Sequence, residues 1–275
     1  MFRNRPMVVG TMHRKEQAIS PIFQEELQVL PFVPVGFQTD FLGTFTDEVT
    51  RLQTAKETVK DKCLAAMQFS NCEMGVATEA SFGPHPEVFY AAAHEEWMVF
   101  VDVKHGLEIY ERVFTTNTNY AHQEISDWID LEKFANKVGF PVHGIIISNS
   151  DKSVFYKDIT TWKQLQIAFE ELKKSVFLVC VETDMRAHRN PTRMSVIRQL
   201  AEKLVEKIKS KCPNCNTPGF GVTSTIFGLP CEWCGAPTNS IATYVKECTS
   251  CGFKEHETRK DKTTESAEFC YQCNP

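Results

Sequence analysis

No run in this 275-residue sequence stays apolar for the roughly 18 residues that a membrane-spanning helix requires, so an α-helical membrane anchor is excluded. The opening segment, Met1 to Met7, carries arginines but lacks the apolar stretch of a secretory signal, and a cytoplasmic location is expected. An excess of positive charge is also missing. The net charge is −5, which gives the chain no overall attraction to nucleic acid or to acidic membrane. Low-complexity linkers are absent, and nothing repeats except one short cysteine motif. Cysteine is scarce before residue 211, where Cys63, Cys72 and Cys180 stand among apolar neighbours and are expected to be plain core residues. What remains, 42% hydrophobic and 24% charged residues, is ordinary for a globular protein. The length suits one sizeable α/β core with a small appendage.

The other eight of the eleven cysteines form four Cys-x-x-Cys pairs: Cys212 with Cys215, Cys231 with Cys234, Cys248 with Cys251, and Cys270 with Cys273. In a reducing compartment such pairs do not persist as structural disulfides. Two thiolates at this spacing grip one side of a tetrahedral Zn²⁺, and a second pair closes the site. Two structural zinc ions are therefore expected, each held by four thiolates with no position open for water. A tail this short builds little core and is expected to fold with metal bound. A nested pairing is the favoured one. Cys231-Glu-Trp-Cys-Gly and Cys248-Thr-Ser-Cys-Gly, joined by the strand-like Ile241–Val245, read as one zinc ribbon, which leaves Cys212, Cys215, Cys270 and Cys273 for the second site. Sequential and interleaved pairings stay open. Lysines and glutamates are mixed along the tail, which disfavours a surface that tracks phosphates.

Before residue 211 the chain alternates apolar strands with helical periodicity. Strands are expected at 7–10, 73–80, 97–103, 106–115, 142–148 and 176–181, and an edge strand or loop at 30–35, where two prolines intervene. Helices are expected at 14–27, interrupted by Pro21, and at 50–67, 126–138 and 160–174. A last helix starts at Asn190-Pro191, a cap followed by a first-turn proline, and runs to about Lys209. The expected fold is α/β, a mixed sheet flanked by helices over residues 1–210, followed by a double Cys₄ zinc-ribbon-like domain over 211–275. The short connection to Cys212 predicts a docked tail.

α/β folds bind ligands beyond the carboxyl ends of their strands, and four polar clusters follow expected strands. Gly10-Thr-Met-His-Arg-Lys-Glu16 offers His13 and Lys15 at a helix start, suited to phosphate. Thr39–Glu48, followed by Arg51, is dense in hydroxyls and carboxylates; its bland reading is an N-cap cluster. Glu79-Ala-Ser-Phe-Gly-Pro-His-Pro86 sets a carboxylate, the Ser81 hydroxyl and the His85 imidazole around a turn. Glu182-Thr-Asp-Met-Arg-Ala-His-Arg-Asn-Pro191 offers Glu182, Asp184 and His188 to a divalent ion or substrate, with Arg186, Arg189 and Arg193 for phosphate or carboxylate.

The runs Gly-Thr-Phe-Thr-Asp-Glu, Ser-Phe-Gly-Pro-His-Pro, Glu-Thr-Asp-Met-Arg-Ala-His-Arg-Asn-Pro-Thr-Arg and Cys-Tyr-Gln-Cys-Asn-Pro resemble an uncharacterised bacterial family catalogued as a domain of unknown function. That resemblance covers nearly the whole chain and implies shared architecture without a settled activity. More faintly, the first hundred or so residues look like the inosine/xanthosine triphosphate pyrophosphatases. The likeness rests on a strand followed by His13, Lys15 and Glu16, an acidic segment opening a helix with Glu48, Lys56 and Lys60, and the strand Gly75-Val-Ala-Thr-Glu-Ala80. The Gly-Pro-His-Pro turn, the Glu-Thr-Asp segment and the zinc tail depart from that pattern. This resemblance implies hydrolysis of a nucleoside triphosphate with Mg²⁺ or Mn²⁺.

The combined expectation is a metal-dependent hydrolase acting on a nucleotide-like phosphorylated small molecule. Glu48, Glu79, Asp102, Glu182 and Asp184 would hold metal or act as acid and base, with His85 and His188 as proton shuttles. His13, Lys15, Thr46, Arg51, Lys60, Ser81, Arg186 and Arg193 would bind the ligand. The four clusters should then converge on one cleft. The alternative is a non-catalytic module whose zinc tail contacts a partner protein or RNA.

Overall fold

The computed structural model describes residues 1–37, 54–86, 88 and 90–275. It divides into two compact units, Met1–Val205 and Glu206–Pro275.

The first unit is a mixed α/β structure with two sheets. The larger sheet has the order β2-β1-β3-β4-β5, built from β1 (Pro6–Gly10), β2 (Leu30–Phe32), β3 (Met74–Pro84), β4 (Ala92–Asp102) and β5 (Leu107–Thr115). β1 pairs in parallel with both β2 and β3, whereas β3, β4 and β5 form an antiparallel meander. Met7, Val8 and Val9 are all fully buried, as a strand covered on both faces requires. Alternation sorts the faces. Val8, Ala77, Val99 and Val101 meet Val59, Cys63, Ala66 and Met67 of α2 (Ala55–Ser70). On the opposite face, Phe100 meets Phe23 of α1 (Glu16–Leu27), with ring centroids 6.2 Å apart.

The smaller sheet, in the order β6-β9-β7-β8, is antiparallel and uses β6 (His122–Ile125), β7 (Ile145–Ser148), β8 (Phe155–Ile159) and β9 (Val179–Thr183). It shares one apolar core with α3 (Trp128–Lys137) and α4 (Trp162–Lys173), centred on Leu131, Ile145, Ile147, Leu165 and Val179. α5 (Pro191–Lys209) follows, with Asn190 Oδ1 accepting from Arg193 N at 3.0 Å, the cap expected from Asn190-Pro191. The second unit carries one three-stranded antiparallel sheet, β10 (Gly221–Phe227), β11 (Ile241–Glu247) and β12 (Lys254–Thr258).

Four expectations change. α1 runs through Pro21 without interruption, since a proline there removes only the bond to Gln17 O. α2 begins at Ala55 because Thr54 and Glu57 form a reciprocal capping box. β3 does not stop at Ala80 but stays paired with β4 to Pro84, so Glu79 and Ser81 lie within a strand and not in a turn. Of the expected core cysteines, Cys63 is buried, while Cys72 and Cys180 are half-buried.

Gly75 marks the closest approach of α2 to the sheet: a Cβ there would stand 2.7 Å from Met67 Cγ and 3.1 Å from Cys63 Sγ. Gly75→Ala is therefore expected to cost about 1–3 kcal/mol of stability in urea unfolding. Combined with Met67→Ala, it should cost less than the sum of the two single losses, because the obstructing side chain is gone.

Candidate functional site

Alternation along β3 and β4 distributes charge to both faces of the larger sheet. Glu79 points toward α2, where Lys62 Nζ lies 2.5 Å from its carboxylate, and both side chains are nearly solvent-free. Thr78, Glu96 and His94 occupy the other face. Glu96 is fully buried there and is met by the Arg193 guanidinium as a fork: Nε donates to Oε2 at 3.1 Å and Nη2 to Oε1 at 3.2 Å. His94 Nε2 stands 2.9 Å from Oε2, Lys15 Nζ 3.6 Å from Oε1, and the Thr78 hydroxyl donates to Oε1. Burial alone would raise the Glu96 pKa, but Arg193, Lys15 and His94 hold it well below the usual carboxylate range.

Two cations around one carboxylate leave positive charge over. Burial, and then the charge of Arg193, push Lys15 down to about 8. His13 stacks on His188 with centroids 5.4 Å apart. Burial followed by Lys15, His188, Arg193 and Arg186 lowers it to about 3. Burial, Arg186 and Arg189 lower His188 as well. Beside these groups lies a groove of about 410 Å³ between the start of α1 and the outer face of α5. Arg14, Gln17 and Ala18 form one wall; Ala187, His188, Pro191, Met194, Ser195 and Arg198 form the other, and among the described residues no carboxylate lines it.

The structure thus brings His13, Lys15, His188 and Arg193 together, and places Glu79 on the reverse face of the same strand ends. Among the described residues, the expected site residues do not all converge on one cleft. Asp102 lies six residues along β4 from Glu96, roughly 20 Å away, where it is bound by Arg5 at 2.5 Å and by His105 at 2.8 Å. His85 closes the β3–β4 hairpin, accepting from Val88 N at 3.0 Å, and its ring meets Phe114. Lys60 pairs with Glu108 at 2.8 Å, and Glu182 with Lys152 at 3.5 Å. Asp184 is fully buried and saturated by Arg186, whose Nη2 donates at 2.6 Å. Arg193 is a buried anchor with no face left for a ligand, because its fork is on Glu96 and Nη1 donates to Met185 O at 2.6 Å. Burial, Arg186 and Arg189 favour the neutral form of His188. Thr46, Glu48 and Arg51 lie outside the described residues.

In the second unit two cysteine quartets could each hold a metal ion: Cys212, Cys215, Cys248 and Cys251, and Cys231, Cys234, Cys270 and Cys273. The pairing is interleaved and not nested, and the sheet dictates it. Gly221 at the start of β10 faces Glu247 at the end of β11, so the pairs before β10 and after β11 meet at one end. The β10–β11 connection and the chain leaving β12 meet at the other end. The sulfurs fit a tetrahedral ion. Cys212–Cys251 and Cys215–Cys248 are 3.7 and 3.6 Å apart, and Cys231–Cys273 and Cys234–Cys270 are 3.9 and 3.6 Å apart. Four thiolates at about 2.3 Å from zinc stand about 3.8 Å apart. Thr217 lowers Cys215 to about 6, and the amides of Cys273 and Gln272 help bring Cys270 to about 7. Among the described residues these quartets are the only groups of three or more His, Cys, Asp or Glu placed to share an ion.

The chain belongs to the family described as Domain of unknown function (DUF6671). The family model matches residues 62–275, which include Glu96, Arg193 and all eight tail cysteines. Residues 10–16 and the Gly-Thr-Phe-Thr-Asp-Glu run precede the matched part. No curated protein matches the chain. No described helix is long and apolar enough to cross a membrane.

Sequence reasoning missed Glu96, His94, Lys62 and the groove residues Arg14, Gln17, Ser195 and Arg198. Glu96 was findable: the period of β4 aligns it with Met98 and Phe100, so a carboxylate is pointed into the core. Removing that charge alone, by Glu96→Gln, leaves Arg193 buried and unpaired and is expected to cost about 3–5 kcal/mol. Glu96→Leu with Arg193→Met should cost less than either charge-removing single change, measured by chemical unfolding.

Proposed function

We propose that the first unit binds a phosphorylated, nucleotide-sized anion in the groove between α1 and α5, and that two zinc ions hold the second unit together. The observation that carries the first part is the sign of the field. His13, Lys15 and His188 all sit below their ordinary pKa with cations among the causes. The groove beside them offers Arg14 and Arg198, a volume in the range of small-molecule sites and, among the described residues, no carboxylate. Arg14 has no carboxylate partner among the described residues, whereas Arg198 has only an exposed pairing with Glu202 at 3.4 Å. An anion is the species that such a field stabilises.

Hydrolysis with Mg²⁺ or Mn²⁺, the finer reading implied by the pyrophosphatase resemblance, draws less support. Glu79, Glu96, Asp102 and Asp184 each already face a cation. Binding is therefore the reading we adopt, and turnover is measured in the same assay. Nucleoside triphosphates with Mg²⁺ or Mn²⁺ are expected to raise the melting temperature, and Arg14→Ala or Arg198→Ala to weaken binding about tenfold, the scale of one charged hydrogen bond. Lys15 favours the anion only while protonated. Affinity should hold below pH 8 and decline as the pH rises through about 8. If no nucleotide shifts the melting temperature and none releases pyrophosphate, the groove reading fails.

The zinc reading is tested by stoichiometry. The purified chain should carry two zinc ions, and Cys215→Ser with Cys251→Ser should carry one, since both substitutions strike one quartet. Cys215→Ser with Cys234→Ser should lose both ions. Nested pairing gives a different result for the first of these variants: both sites would be struck and no ion retained.

A further inference from the structure

The two metal-binding ends of the second unit are built alike but dressed differently. At the first end, the residues inside the two Cys-x-x-Cys turns are Pro213-Asn214 and Thr249-Ser250. At the second end they are Glu232-Trp233 and Tyr271-Gln272, and Phe269 immediately precedes Cys270. Trp233 is 76% exposed, Tyr271 71% and Phe269 62%. The first end shows that the turn needs no aromatic residue to present its thiolates. Three aromatic side chains around one quartet, all facing water, are thus surplus to the metal site, and aromatic residues are the usual anchors of binding surfaces.

We propose that this end of the unit is a docking surface for a protein segment that carries arginine or lysine, an inference that rests on the zinc reading of the same unit. The charge around the aromatics selects that partner. Glu232 and Glu268 flank Trp233 and Phe269, are exposed, and have no cationic partner among the described residues. The basic residues nearby in the chain are all engaged. Arg259 is on Asp261 at 2.9 Å, Lys260 on Glu257 at 2.9 Å, and Lys262 on Glu265. A guanidinium or ammonium group placed over an exposed indole or phenol face, with a carboxylate beside it, gains cation–π attraction and an ion pair together. A phosphate backbone would meet Glu232 and Glu268 instead, so the same pattern disfavours nucleic acid. Tyr271 is fixed for the role, because its hydroxyl accepts from Asn239 Nδ2 at 3.1 Å and steadies the ring.

The full-length, zinc-loaded chain should be applied to an array of random-sequence peptides, with polyuridylate as a parallel probe and zinc content measured for every variant. Peptides containing arginine or lysine are expected to be retained. Trp233→Ala with Tyr271→Ala should bind them about tenfold more weakly while keeping both zinc ions, and because it leaves the net charge unchanged, this loss separates docking from diffuse attraction to an acidic protein. Glu232→Gln with Glu268→Gln should also weaken retention and make it less sensitive to salt. Retention without preference for basic peptides, undiminished binding by the aromatic variant, a preference for polyuridylate, or self-association that depends on Trp233 would each overturn the proposal while the zinc reading stands. A native chain without zinc would overturn both.

Discussion

A guanidinium and a carboxylate with no solvent around them, Arg193 and Glu96, join the helix that follows the smaller sheet to a central strand of the larger one. Neither ion could remain charged there alone, since isolated buried charges are far more costly than neutral groups. Each is tolerable because the other is present, because the fork is bidentate, and because Met185 O, Thr78 and His94 take up remaining bonding capacity. The contact therefore fixes where α5 begins and which way the 184–190 loop turns. Asn190 reinforces this by capping α5 while its amide donates to Asn119 Oδ1 at 2.8 Å.

From that arrangement the electrostatics follow. Lys15, the residue that precedes the first turn of α1, enters the same pocket, bonded to Thr78 O at 3.2 Å, and shares a carboxylate that Arg193 already occupies. The resulting surplus of positive charge depresses the bases around it and is felt in the groove. Had Glu79 pointed to this face, the surplus would have been cancelled. The pleat of β3 sends it instead to α2, where Lys62 neutralises it. One residue of register thus decides whether that surplus of positive charge is left over.

The sequence made some of this legible and hid the rest for identifiable reasons. Buried strands and amphipathic helices announced themselves, since β1, β4 and β9 are apolar runs and α5 carries both its cap and its stripe. β6, β8, β10 and β12 did not, and all four are edge strands. An edge strand such as β12, Lys254-Glu-His-Glu-Thr258, buries little, so pairing leaves no hydrophobic alternation to read. The basic loop after β1 and the polar loop after β9 were visible as clusters. Their meeting was not, because it depends on a long-range ion pair whose acidic member lies inside an apolar strand. Asp102 shows the converse: a carboxylate at a strand end is conspicuous in sequence whichever end of the sheet it occupies.

The cysteines show how far spacing alone reaches. Four equal pairs say that metal could be held and leave the pairing open, because spacing is local and connectivity is set by the sheet. An antiparallel meander returns the chain to the same end after every second strand, so with one Cys-x-x-Cys pair before the first strand, one in each of the two connections and one beyond the last strand, alternate pairs must meet. The same geometry makes the cysteines the core of the unit. Cys212 and Cys248 pack with Phe220 and Phe253, and Cys231 and Cys270 with Ala236 and Ala267. Two apolar clusters this small cannot hold a sheet by burial alone, since a few side chains contribute only a few kcal/mol against the entropy of ordering the strands. Metal ions held by the two quartets would supply the remainder, one at each end, with β10, β11 and β12 running between the ends.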